Sequence, residues 1–183
     1  TYLLAAGIGV PVDDASWPYD PATDGDGSGS CYLTQNTLGN SDVDNGAVRL
    51  VSPQIDASSV PALTIEYWYY LYLTDSGSTD ALQLEVSSGG LDGPWVEVAR
   101  HRFGGGLAWR HHTVRADELA AAGITPSAQL RLRFTAADED PQSIVEAGLD
   151  GVVVSGPDCG APPAGCAGDC DCNGQRDFFD IDF

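Results

Sequence analysis

The chain has 183 residues, which is enough for one domain with a sizeable core and a short appendage. Its net charge is −19 and it has no lysine, all eight basic side chains being arginines. Such an acidic surface repels phosphate groups, which argues against nucleic acid as a partner and against anionic membranes. No apolar run approaches the roughly 20 residues of a membrane-spanning helix, so membrane insertion is not expected.

The first ten residues, Thr1 to Val10, are apolar, and we interpret them as a strand. They lack the basic segment that begins a signal peptide. The sequence starts without Met and both ends look cut, so we expect a processed or partial chain.

A turn-rich stretch follows from Pro11 to Ser30, with Pro, Gly, Asp and Ser throughout. A loop of this length in a compact domain is usually functional or held in place by other groups. Asp24 and Asp26 are candidate calcium ligands in it, although Asp and Gly also serve turns without any metal. Trp17 and Tyr19 flank Pro18, and we predict that they form an exposed aromatic platform for a ligand.

Short segments of strand-forming residues, bounded by turn residues, then recur along the chain. Only DELAAA, residues 117–122, reads as a helix. A set of about eight strands with almost no helix predicts an all-β fold, an antiparallel β-sandwich of jelly-roll-like type. The predicted strands are Cys31–Gln35, Ala47–Ser52, Leu63–Thr74, Ala81–Ser87, Trp95–Phe103, Trp109–Arg115, Leu130–Ala136 and Ile144–Ser155.

The strand from Leu63 to Thr74 carries bulky residues on both faces, which favours a central strand covered on each side. Ile65, Tyr67, Tyr69 and Leu71 fall on one face of it. Trp68 and Tyr70 fall on the other, where they are either a stacking surface for sugars or part of the core. We interpret these two as core, because large aromatic residues dominate sandwich interiors.

Catalysis has little support in the sequence. The three imidazoles are His101, His111 and His112, and the adjacent pair must face opposite sides of a strand. No nucleophile elbow or metalloprotease motif is present. We therefore predict no catalytic residues and a non-enzymatic protein.

The five cysteines are Cys31 and a C-terminal group of four. With abundant Asp, Gly and Ser, they favour an oxidising setting that is extracellular or at the cell surface. Cys159–Cys166 is the disulfide that we predict. The odd count leaves at least one free thiol, for which Cys31 on an apolar strand is a candidate, and the pairing of Cys170 and Cys172 stays open.

The composition shifts after Ser155 to Pro, Gly and Cys. We therefore divide the chain into a β-sandwich domain at residues 1–156, a linker at 157–168 and a C-terminal segment at 169–183. The last segment has oxygen-bearing side chains at positions 1, 3, 5, 9 and 12 of a loop with Gly174 at position 6, the spacing of an EF-hand calcium loop. The predicted calcium ligands are Asp169, Asp171, Asn173, Gln175 (through its carbonyl), Asp177 and Asp180.

This segment resembles a dockerin repeat, a secreted calcium loop–helix unit that typically has Asp at position 12. Only one loop is present, and the helix begun by residues 177–183 stops with the chain. The resemblance implies calcium binding, whereas cohesin binding usually requires two repeats.

A second resemblance covers most of residues 10–156. CYLTQN (residues 31–36), SDVDNGAVRLVSPQID (41–56), IEYWYYLYL (65–73) and FTAADEDPQSIVEAGLDGVVV (134–154) resemble a jelly-roll accessory module of secreted bacterial proteins, of the MAM and carbohydrate-binding type. Combined with a dockerin-like tail, this is similar to proteins of planctomycete-like bacteria. The resemblance implies that Asp150, on the last strand, helps to hold a structural calcium with Asp24 or Asp26.

Together these observations predict an extracellular, non-catalytic binding or adhesion module with a calcium-dependent C-terminal anchor. Its partner would be a glycan or another surface protein. The alternative is a protomer of an extracellular filament or surface layer, in which the N-terminal strand pairs with the open sheet edge of a neighbour.

Overall fold

The computed structural model describes residues 8–9, 11, 13–44, 46–74, 79–102, 107–139, 141 and 143–156. The predicted linker, the Cys159–Cys166 disulfide and the calcium loop at 169–180 lie outside the described residues, as does most of the predicted N-terminal strand.

The described part of the chain forms nine strands and one short helix, α1. All eight strands predicted between residues 31 and 155 are present with ends that differ by two residues at most, and the six-residue helix lies one residue before its predicted place. The strands are β1 Ile8–Gly9, β2 Cys31–Leu33, β3 Gly46–Val51, β4 Thr64–Leu73, β5 Ala81–Ser87, β6 Val96–His101, β7 Arg110–Val114, β8 Arg131–Asp138 and β9 Val145–Ser155, and α1 spans Ala116–Ala121 between β7 and β8.

These strands form two antiparallel sheets. The first has five strands in the order β1-β2-β9-β4-β7, and the second has four in the order β3-β8-β5-β6. Neighbours in each sheet are mostly distant in sequence, as in β4 and β9, which pair from Thr64↔Ser155 to Leu73↔Val145. The fold is therefore an antiparallel β-sandwich of jelly-roll-like type, as the sequence predicts.

The alternation along β4 separates the two sides of the five-stranded sheet. Ile65, Tyr67, Tyr69 and Leu71 point inward and are buried in the core between the sheets. Leu84 of β5 and Phe134 of β8 meet them from the four-stranded sheet. Burial of each such large side chain stabilises the fold by roughly 1.5–3 kcal/mol.

The outward side chains of β4 require a correction. Tyr70 is buried with 1% of its surface exposed, but Trp68 is only half-buried, and neither belongs to the core between the sheets. Both lie on the outer face of the five-stranded sheet, where the loop from Pro11 to Ser30 covers them in part. The prediction of two bulky, covered faces was right for Tyr70, although a loop rather than a layer of sheet covers it.

β1 gives the first edge of the five-stranded sheet, since Ile8 and Gly9 pair with Tyr32 and Cys31 of β2. Among the described residues, no helix is long and apolar enough to cross a membrane.

Candidate functional site

The long loop before β2 is attached to the outer face of the five-stranded sheet by hydrogen bonds from aromatic side chains. The phenol of Tyr70 donates to the carbonyl of Tyr19 at 2.6 Å, and the indole N–H of Trp109 donates to the carbonyl of Thr23 at 2.6 Å. These bonds satisfy backbone carbonyls that the irregular loop cannot pair within itself. The loop is therefore held in place, as its length predicts.

Trp17 and Tyr19 lie together on this face and are half-buried. Their rings meet edge to face with centroids 5.0 Å apart, and Tyr19 stacks on Tyr72 of β4 at 4.7 Å. The indole N–H of Trp17 donates to Oε1 of Glu146 at 2.8 Å. Both residues thus anchor the loop to the sheet, and their predicted role in ligand binding stays a prediction.

Beside these anchors, the loop and the sheet enclose an open cleft of about 330 Å³. The half-buried ring of Trp109 forms its aromatic side and packs beside the buried ring of Tyr70, with centroids 5.8 Å apart. The exposed side chain of Leu107 also lines the cleft. The opposite wall belongs to the loop and is acidic, with Asp13, Asp14 and Asp20. Prolines 18 and 21 stiffen that wall, because a proline ring fixes the backbone φ angle.

Trp109 reaches this position because two glycines leave room for its ring. A Cβ atom on Gly148 of β9 would lie 2.7 Å from Cη2 of Trp109, and one on Gly25 would lie 2.9 Å from its Cδ2. Both distances are shorter than any normal carbon–carbon contact. The indole is therefore seated between the sheet and the loop.

The structure brings together the three acids that the sequence and the resemblance pointed to, Asp24, Asp26 and Asp150. One carboxylate oxygen of each lies within 4.8 Å of the others. This separation suits a single hard cation that contacts each oxygen at about 2.3–2.6 Å, as calcium does. Asp150 is buried, Asp24 is half-buried and Asp26 is exposed, so the group opens toward solvent on one side.

Backbone N–H groups fix these carboxylates. Gly25 and Asp26 donate to Oδ2 of Asp150 at 2.8 and 3.1 Å, and Gly29 donates to Oδ2 of Asp24 at 2.7 Å. Burial raises the pKa of Asp150, whereas the backbone N–H of Ser28 lowers the pKa of Asp26. A cation at this position would join β9 to the loop that forms the acidic wall of the cleft.

Cys31 lies at the start of β2 and is a buried free thiol, as the sequence analysis anticipated. Burial, assisted by the negative charge of Asp150, raises its pKa to about 12. The thiol therefore remains protonated and unreactive at neutral pH.

A separate pair of carboxylates, Asp20 and Glu146, joins the same loop to β9. Glu146 has 1% of its surface exposed, and burial raises its pKa to about 8. The pKa of Asp20 is raised by burial as well. The Ser41 hydroxyl lies between them, 2.7 Å from Oδ2 of Asp20 and 3.2 Å from Oε1 of Glu146.

The three histidines do not form one site. His111 points outward to Trp68 and Glu66, whereas His112 points inward to Tyr67, as alternation along β7 predicts. His101 of β6 also lies inside, with Nε2 2.8 Å from the Tyr67 hydroxyl, and its pKa is lowered to about 4 mainly by burial. His101 and His112 are therefore half-buried side chains that pack on Tyr67 and on each other, with ring centroids 4.7 Å apart.

The sequence analysis did not single out Glu146, Asp20 or the Tyr70–Trp109 cleft. One signal for Glu146 was available, since it is the only acid between Ile144 and Leu149 in an otherwise apolar strand. A charged residue in such a strand needs polar partners. No local pattern indicates that residues 17, 20 and 41 supply them.

No protein-family model matches the sequence, and no curated protein matches it. Among solved structures, the fold is similar to the K1 cleaved adhesin domain of Lys-gingipain from Porphyromonas gingivalis W83, with a TM-score of 0.50 and 16% identity over 72% of this chain and 77% of that one. It is also similar to TmCBM61, solved in complex with beta-1,4-galactotriose (TM-score 0.44, 10% identity, 75% of this chain and 74% of that one). A third is CBM28, a non-crystalline cellulose specific carbohydrate-binding module (TM-score 0.36, 12% identity, 83% and 93%). At these identities the likeness shows the fold alone.

Proposed function

We propose that this protein is a non-catalytic glycan-binding module that acts outside the cell or at its surface. The observation that carries the proposal is the cleft between the loop and the five-stranded sheet, with the half-buried ring of Trp109, packed beside the buried Tyr70, on one side and carboxylates on the other. Its volume of about 330 Å³ lies within the range of small-ligand sites and fits one or two sugar rings.

The chemistry of the two walls selects the class of sugar. Aromatic rings pack against the C–H face of a pyranose, and carboxylates accept hydrogen bonds from its hydroxyl groups. Asp13, Asp14 and Asp20 repel anions, so uronic acids and sulfated glycans are disfavoured. The preferred ligand is a neutral glycan.

Calcium has a supporting part in this proposal. A calcium ion held by Asp24, Asp26 and Asp150 would fix the loop to β9 and so shape the acidic wall. A second ion in the loop at residues 169–180 would order the C-terminal anchor, as its ligand spacing predicts. Neither ion takes part in chemistry on the ligand.

A screen of immobilised neutral and acidic oligosaccharides tests the function, followed by calorimetric titration of the best neutral ligand. Trp109→Ala is expected to weaken binding at least about tenfold, which corresponds to ~1.4 kcal/mol. Trp95→Ala is the matched control, because Trp95 stacks on Arg133 of the four-stranded sheet, away from the cleft. Binding of acidic glycans only, or equal loss in both variants, would contradict the proposal.

A second candidate function is assembly into a filament by exchange of the N-terminal strand. The observation that favours it is the position of Ile8–Gly9 at the edge of the five-stranded sheet, where these two residues pair with Tyr32 and Cys31 of β2. An edge strand can be replaced by the same segment of a neighbour. Sedimentation velocity tests this idea: polymers should form with the full chain and disappear when residues 1–9 are deleted, and polymers of the deleted form would refute it.

A further inference from the structure

The carboxyl groups of Asp20 and Glu146 lie on either side of the Ser41 hydroxyl, Glu146 buried and Asp20 half-buried. Their hydrogen-bond partners are neutral: the Trp17 indole at 2.8 Å and the Thr34 hydroxyl at 3.3 Å on Glu146, and the Ser41 hydroxyl on both acids. None of the contacts that the structure gives to this pair comes from an arginine or a histidine. A buried carboxylate beside a half-buried one, with no cation among these contacts, cannot ionise at low cost while its neighbour is charged.

The count of available protons leads to the same result. Ser41 has a single hydroxyl proton, which the shorter contact assigns to Asp20. The Thr34 hydroxyl is equally near the carbonyl of Ala147, at 3.3 Å, so it does not fully serve Glu146. One additional proton, carried by Glu146 and shared with Asp20, completes the network.

We propose that Asp20 and Glu146 share one proton, and that this shared proton positions the acidic wall of the cleft against the sheet. Glu146 belongs to β9, whereas Asp20 and Trp17 belong to the loop, so the proton connects the two elements. Asp20 itself lines the cleft. Glu146 is thus a positioning residue for the ligand, an inference that rests on the proposed function for its biological meaning but not for its test.

The other titratable groups that face the pair do not replace this proton. Asp14 on the loop adds negative charge, and hydrogen bonds from Ser16 and Gly39 lower its pKa. From β4, Tyr70 faces both acids with a pKa raised by burial, and Tyr72 lies opposite Glu146 in the ladder with Tyr19 stacked on it. These groups supply no positive charge.

The pH dependence follows from the sign of the shift. The attached loop holds the proton with a pKa of about 8, whereas a detached, hydrated Glu146 returns toward 4.5. Each opening of the loop therefore releases one proton between these values. The opening constant should rise roughly tenfold per pH unit across this window and become constant above about pH 8.

Hydrogen exchange of the Trp17 indole N–H, followed by NMR in the full chain with a chelator present, measures this opening. The measured proton is that of the Trp17 indole N–H, so no glycan is needed. Trp17→Phe assigns the resonance. Because intrinsic exchange also depends on pH, the rate in the wild type is divided by the rate in Glu146→Gln, whose side chain is uncharged and donates to Asp20 at every pH.

We expect the ratio to rise about tenfold per unit from pH 5 to 8. Glu97→Gln, which removes an exposed acid of the four-stranded sheet, should exchange like the wild type, and the amide of Leu84 should stay protected throughout. If Glu146→Gln does not fold, Asp20→Asn takes its place with the same expectation. A ratio independent of pH would overturn the proposal. Loss of glycan binding with the pH effect intact would instead count only against the proposed function.

Discussion

The indole N–H of Trp17 donates a 2.8 Å hydrogen bond to Oε1 of Glu146, across 129 residues of sequence. This bond, the Tyr70–Tyr19 bond and the Gly25–Asp150 bond attach one irregular loop to the five-stranded sheet. The candidate ligand site and the candidate metal site therefore share a single scaffold. A change at any anchor should affect both.

The packing of the Trp109 indole against Gly148 gives the first prediction. Gly148→Ala should displace the indole, because the added methyl group would lie 2.7 Å from Cη2 of Trp109. We expect a loss of roughly 1–3 kcal/mol in the free energy of unfolding, measured by denaturant titration, together with weaker glycan binding. In the Trp109→Ala background the same glycine substitution should cost less, with the 2.9 Å approach of the methyl group to Cδ2 of Leu33 remaining. An equal cost in both backgrounds would show that Trp109 is not the obstacle.

The cluster of Asp24, Asp26 and Asp150 gives the second prediction. Calcium should raise the thermal midpoint of the wild type, by an amount equivalent to about 2.7 kcal/mol when free calcium is about 100 times its Kd. Asp150→Asn should remove most of this gain, because Asp150 is the buried member of the cluster. Asp56→Asn removes the same charge from an exposed turn and should leave the gain unchanged. An unaltered gain in Asp150→Asn would exclude the site.

The predicted calcium loop at residues 169–180 gives the third prediction. Calcium should protect residues 169–183 from proteolysis, since a bound ion would order the loop. Asp169→Ala combined with Asp177→Ala should abolish this protection, measured by mass spectrometry of timed digests. The Asp150→Asn variant is the control and should retain it. Protection that survives the double substitution would count against the loop.

The half-buried His101 gives the fourth prediction. Burial lowers the pKa of His101 from 6.5 to about 4, so its neutral form is favoured in the folded state. Its stabilising contribution is complete above about pH 6.5 and is lost as the pH falls toward 4. Relative to His101→Gln, the wild type should lose about 1.4 kcal/mol per pH unit in this window. If the free energies of unfolding of the two proteins changed in parallel with pH, the lowered pKa of His101 would be contradicted.

The strands could be predicted from sequence because their signal is local. Alternation along residues 64–73 predicts that Ile65, Tyr67 and Tyr69 share one face, and the structure shows that this face is the inner one. The same rule put His111 and His112 on opposite faces. Turn residues located most of the strand ends.

The site could be predicted only in part, because its contacts join distant segments. Asp24 and Asp26 were candidates from the sequence of the loop, and the resemblance added Asp150 and its pairing with one of them, which spacing alone does not supply. Tyr70 was correctly expected to be buried, but its cover is a loop whose path depends on contacts such as that between Trp17 and Glu146. Sequence patterns indicate which residues are buried, but they do not indicate which distant segment of the chain covers them.

The most direct test of the glycan-binding cleft is the NMR spectrum of the four indole N–H groups during titration with the neutral oligosaccharide selected by the screen. We expect the Trp109 resonance to shift in proportion to occupancy while the Trp95 resonance stays in place, because only Trp109 lines the cleft. A titration that shifts Trp95 and leaves Trp109 unchanged would place the ligand on the other sheet and contradict the proposed site.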